Sequence, residues 1–158
     1  MTTMVVVASK HGSTAEIGER IASTLSARGV KAHVKDVDEA GKWLYEADNV
    51  VVGIPVYMHK LLEDGTLFVE SNRTELAGKP LFFFAVGAAP KLEQQSLERI
   101  QRFPHREITY FRGAVDPAKL GFFEKLQLKR TKSPQDADLR DWPAIEDWAH
   151  GLLSYGVT

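Results

Sequence analysis

Cysteine is absent from all 158 residues. That excludes disulfides, thiolate nucleophiles, cysteine-held iron–sulfur clusters and cysteine-ligated zinc. An excess of one charge is missing too: 20 basic residues stand against 21 acidic ones, a formal net charge of −1. Such a balance has no global pull toward polyanions, and nucleic acid is not expected as a partner. No apolar run approaches the ~20 residues that span a bilayer. The chain enters Met4, Val5, Val6, Val7 and Ala8 with no basic segment or cleavage site before them. The expectation is a soluble cytoplasmic protein. The five histidines, His11, His33, His59, His105 and His150, include no pair spaced four apart, so no metal site is expected.

What is present suits one domain over residues 1–158. Hydrophobic residues make up 44% and charged residues 26%, enough apolar mass for a core and too little polarity for disorder. Near-continuous apolar runs at 4–8, 49–54, 80–86 and 108–114 read as strands buried on both faces. Residues 30–37 alternate Val30, Ala32 and Val34 against Lys31, His33 and Lys35, the pattern of an edge strand. Helices fill the gaps. Residues 13–28 carry the stripe Ile17, Ile21, Leu25 with Gly29 as a stop, and Ser13 with Glu16 has the spacing of a capping box. Further helices are predicted over 39–46, 61–75 and 92–103. A last one starts near Asp141, with Pro143 in its first turn and Ile145, Trp148 and Leu152 buried. Strand–helix alternation with right-handed crossovers predicts an α/β doubly wound parallel sheet, helices on both faces.

Ligands in such sheets bind at the carboxyl ends of strands, where the winding reverses. The first loop there is Ser9, Lys10, His11, Gly12, Ser13 and Thr14. Gly12 permits a tight turn, the next helix offers unpaired N–H groups, and three hydroxyls can donate to an anion. By itself the string also fits an ordinary helix cap and turn. It is neither a P-loop, since no Gly-Lys-Ser/Thr ends it, nor a three-glycine dinucleotide loop.

Two more loops reach the same edge. Gly53-Ile54-Pro55-Val56-Tyr57-Met58 follows the third strand and Val86-Gly87-Ala88-Ala89-Pro90 the fourth. With the first loop they make the chain resemble the flavodoxin family over nearly its whole length. The resemblance implies a five-stranded parallel sheet in the order 2-1-3-4-5 and FMN as cofactor. It implies that Ser9, Lys10, His11, Gly12, Ser13 and Thr14 hold the phosphate. Pro55, Val56, Tyr57 and Met58 would line one side of the flavin ring, and Val86, Gly87, Ala88 and Ala89 the other. Tyr57 has the flat face that stacks on a large π-system. One departure stands out: no aromatic residue lies in 87–90, where many flavodoxins cover the second face of the ring. A receiver domain of the same topology needs acidic residues where Ala8, Ser9, Gly53 and Ile54 stand, and a low-molecular-weight phosphatase needs a cysteine. Both are excluded.

The strings Tyr110-Phe111-Arg112-Gly113-Ala114, Asp116-Pro117 and Asp141-Trp142 resemble the menaquinone-dependent protoporphyrinogen IX dehydrogenase subfamily. That implies an FMN-dependent oxidoreductase acting on a flat hydrophobic substrate or quinone. A flavodoxin-type electron carrier serving a redox protein, and a cofactor-free interaction module, remain as alternatives. Residues 120–130, LGFFEKLQLKR, read as aromatics on the sheet under solvated lysines, as a substrate or peripheral membrane contact, or as a homodimer contact. His11 and His59 read as surface loop residues or as proton carriers. No residue is singled out as a catalytic acid or base.

Overall fold

Valine-rich strands cannot expose either face to water, so the chain buries them between two helical layers. The computed structural model describes residues 2–8, 12–114 and 138–157. In chain order the elements are β1 (Thr2–Val7), α1 (Ser13–Ser26), β2 (Lys31–Asp36) and α2 (Val37–Ala40), which continues as a 3-10 turn over Gly41–Glu46. Then follow β3 (Asn49–Tyr57), β4 (Lys60–Leu61), α3 (Glu63–Ser71), α4 (Arg73–Leu76) and β5 (Leu81–Gly87). α5 (Gln94–Gln101), β6 (Glu107–Arg112) and α6 (Trp142–Leu152), which continues as a 3-10 turn over Leu153–Tyr155, complete the described set.

The five parallel strands lie in the order β2-β1-β3-β5-β6, and β4 pairs antiparallel to β3. This is the predicted order, with a short hairpin added. β2 is the alternating edge, exposed on one side, while β5 is buried at every residue. One core layer joins Val52, Ile54, Phe83 and Ile100 under α3 to α5. The other joins Val5, Ile17, Ile21, Phe84 and Ile145 under α1 and α6. Close packing explains three glycines. A Cβ would sit 2.7 Å from Val7 at Gly18, 2.2 Å from the Phe84 ring at Gly53 and 2.7 Å from Ile54 at Gly65.

β3 runs on to Tyr57, past the expected end at residue 54, and three helices depart from their expected bounds. The helix expected over 61–75 yields its start to β4 and breaks at Asn72, whose side chain donates to the Phe68 carbonyl at 2.8 Å. The helix expected over 92–103 is trimmed to Gln94–Gln101, and that over 39–46 splits into α2 and the 3-10 turn. α6 starts as expected: Asp141 caps it by accepting from the Ala144 N–H at 3.1 Å, with Pro143 in the first turn. No described helix is long and apolar enough to cross a membrane. Residues 120–130 lie outside the described residues.

Candidate functional site

Parallel register brings the ends of four strands to one edge. Val7 stands opposite Gly53, Pro55 opposite Val86, and Gly87 opposite Arg112. The Ala8 N–H extends the ladder by donating to the Gly53 carbonyl at 3.0 Å. From β1 the chain winds one way to β2 and later the other way through β3, so the switch point lies between β1 and β3.

The first turn of α1 opens at this point. Gly12 takes the N-cap position at φ 84° and ψ −23°, a left-handed conformation suited to glycine, and no described side chain caps the helix. The expected capping box is therefore not made. Ser13 is the first helical residue, and its hydroxyl accepts from the Ala114 N–H at 2.9 Å. Glu16 turns instead to Arg140. The physical cause is the exit of β6: Gly113 packs so tightly that a Cβ there would lie 2.7 Å from the Ser13 oxygen. Thr14 is only 3% exposed. The first-turn N–H groups, the hydroxyl proton of Ser13 and the Thr14 hydroxyl make a donor set that suits a phosphate. Ser9, Lys10 and His11 lie outside the described residues.

The second loop is a hairpin tip. β3 runs through Pro55, Val56 and Tyr57, and Tyr57 pairs with Lys60. Met58 and His59 form the two-residue connection at φ 49° and 66°. Positive φ at both positions is the type I′ pattern, which ordinarily takes Asn-Gly, so methionine and histidine are strained there. Two contacts hold the tip: the His59 carbonyl accepts from Ser96 at 3.3 Å, and its Nδ1 lies 3.4 Å from Glu93. Met58 is left 48% exposed.

The third loop is fastened from behind by β6. Tyr110 donates to the Ala89 carbonyl at 2.7 Å, and Arg112 donates twice to the Ala88 carbonyl, at 2.8 and 3.2 Å. Burial pushes the Tyr110 phenol up to about 12, against a smaller opposing effect of Arg112. It stays a donor at any ordinary pH. Gly87, expected to line the flavin ring, packs against other groups: a Cβ there would lie 2.8 Å from the Tyr110 hydroxyl and 3.2 Å from Val56. Its missing side chain makes room for β6. Val86 and Gly87 are buried, while Ala88 and Ala89 are half-buried.

All the described residues of the three predicted loops thus lie along one sheet edge. Sequence reasoning missed Tyr110, Arg112 and Gly113 as supports of that edge. It took Tyr110 and Arg112 only as part of a family-like string, although their alternation with Phe111 puts both on one face of β6. It also missed Arg140, whose guanidinium pairs with Asp138 at 2.7 Å and with Glu16 beside the first turn of α1.

Comparisons with known proteins agree with this architecture. No curated protein sequence matches the chain. Flavodoxin 2 from Bacillus cereus is 16% identical, with a TM-score of 0.68 over 98% of this chain and 99% of that one. A short-chain flavodoxin associated with a non-canonical PDU bacterial microcompartment is 16% identical, with a TM-score of 0.65 over 98% and 99%. General stress protein 14 from Treponema denticola, solved in complex with FMN, is 12% identical, with a TM-score of 0.56 over 96% and 99%. Identities this low speak for the fold. The pattern of the flavodoxin domain family, however, matches residues 4–139, and the chain belongs to that family.

Proposed function

We propose that this protein binds FMN along the carboxyl edge of its sheet and works as a flavin-dependent redox protein. The observation that carries this reading is the first turn of α1, opening at the switch point through the left-handed Gly12 with no described side chain capping it, beside two loops from β3 and β5. Ser9, Lys10, His11, Gly12, Ser13 and Thr14 would hold the phosphate. Pro55, Val56, Tyr57 and Met58 would line one side of the ring, and Val86, Gly87, Ala88 and Ala89 the other. When bound, FMN supplies the electron and hydride chemistry. The chain's own residues bind and orient: α1 meets the phosphate with N–H groups, Tyr57 offers a ring face, and backbone groups of the two loops meet the polar edge.

For its activity we propose an oxidoreductase acting on a flat apolar substrate or a quinone, related to the protoporphyrinogen dehydrogenase group. Support comes from exposed Met58 beside Tyr57 and from the lack of an aromatic in 87–90, which leaves one ring face open to a flat partner. Near-equal numbers of acidic and basic residues argue against the strongly acidic face of a dedicated carrier. A carrier serving a redox protein is the second reading, favoured by the flavodoxins among the structural neighbours.

Adding FMN to the purified chain tests the first step. Flavin absorbance near one equivalent, with affinity weakened tenfold or more by Thr14→Leu, is expected. Failure of the wild-type chain to bind FMN leaves only an interaction module. Turnover with quinones, against one-electron exchange alone, then separates enzyme from carrier.

A further inference from the structure

β6 consumes two successive carbonyls of the loop after β5. Arg112 takes that of Ala88 through two nitrogens, at 2.8 and 3.2 Å, and Tyr110 takes that of Ala89 at 2.7 Å. Every described peptide bond is trans, and in a trans peptide the N–H points opposite to the carbonyl it shares a plane with. The Ala89 N–H therefore points away from Arg112. It makes no hydrogen bond among the described residues. Behind the Ala89 carbonyl stands Pro90, which has no N–H at all. The Ala88 N–H likewise makes no hydrogen bond among the described residues, but of the two only the Ala89 N–H is backed through its own peptide by a guanidinium. A carbonyl bound by a charged group polarises the whole peptide and strengthens the N–H on its far side.

We propose that Arg112 is a positioning residue that sets how much more tightly this edge holds reduced than oxidised flavin. The proposal rests on the FMN reading above. Reduction adds electron density to the polar edge of the flavin ring. A fixed donor with a permanent cation behind it favours the electron-rich form without reorganising. Arginine suits the task because its planar fork grips one carbonyl with two N–H groups and it never loses its charge. Tyr110 keeps the neighbouring carbonyl turned the same way, and its burial keeps the phenol protonated.

The test uses the full chain loaded with FMN, in wild type, Arg112→Met and Arg112→Gln, with a thermal melt to show that each is folded. Fluorescence quenching gives the affinity for oxidised FMN, and a spectroelectrochemical titration gives the midpoint of the two-electron couple. Each variant should lose about tenfold in its preference for reduced over oxidised FMN, a midpoint about 30 mV more negative. Arg112→Gln keeps a donor without the charge, so it tests the charge even if Arg112→Met does not fold. A wild-type midpoint in the folded variants overturns the proposal, even if oxidised FMN binds more weakly, because a merely structural role would change affinity alone. Failure of the wild-type chain to bind FMN overturns the parent reading and this one with it.

Discussion

Gly53 stands in the buried part of β3 with no side chain because the Phe84 ring fills the space where one would stand, 2.2 Å from the position a Cβ would take. Gly53→Ala should therefore destabilise the chain by about 1–3 kcal/mol, read from urea unfolding. Adding Phe84→Leu to that chain should recover part of the loss, because the two sites share one volume and cannot be additive. Tyr110 shows the residue scale in a second way. Its phenol is held at about 12 by burial, above its ordinary value of 10, so the folded chain keeps a proton that the unfolded chain releases. Stability from this source is complete below pH 10 and is lost as pH rises toward 12. Unfolding midpoints should fall over that window in wild type, and Tyr110→Phe should flatten the decline. Neither role was legible in the sequence. Gly53 and Gly87 look like loop glycines there, and only the register of β3, β5 and β6 shows which rings they accommodate.

Elements were easier to read than their ends. β1, β3, β5 and the alternating edge strand follow from composition and period alone, because a sheet covered on both faces leaves valine and phenylalanine runs little choice. β6, read as a fourth strand buried on both faces, is half-buried at all but Phe111, because it ends the order of the described strands. The hairpin of β3 and β4 escaped for a definite reason. Its turn carries Met58 and His59 in place of Asn-Gly, so the usual signal was absent, and Leu61 fell in with the helical pattern that follows. The same substitution pattern makes a prediction. Replacing the tip, Met58→Asn with His59→Gly, should relieve two left-handed residues and stabilise the fold by about 1–2 kcal/mol. Thermal or urea unfolding measures the gain. An unchanged or lower stability would mean that the lost contact of the His59 side chain with Glu93 outweighs the strain. The capping box at Ser13 and Glu16 failed by the opposite route: the local signal was present, but the end of β6 claimed the serine hydroxyl and Arg140 the glutamate.

At the scale of the whole molecule, residues 138–140 lie against the end of β6. Ala114 bridges Asp138, and the Leu139 N–H donates to the Gly113 carbonyl at 3.2 Å. Arg140 then joins Asp138 to Glu16 on α1, while its guanidinium and that of Arg20 lie 4.7 and 4.3 Å from the centre of the Trp142 ring. Arg20 in turn pairs with Glu146 of α6 at 2.7 Å. α1, the end of β6 and the start of α6 are thereby locked around the first turn that would meet a phosphate. The donor hydrogen bonds of Arg140 hold the Asp138 carboxyl down to about 2, from an ordinary 3.8. A lowered carboxylate stabilises the folded chain above its unfolded value, and that contribution fades as pH falls from about 4 toward 2. Because the carboxylate is mostly exposed, salt should weaken the pairing as well. Wild type should therefore lose stability more steeply than Asp138→Asn between pH 4 and 2, and the difference should shrink in high salt. Equal acid slopes in the two proteins would mean that the clasp beside the first turn of α1 depends on Trp142 and the backbone bridge rather than on charge.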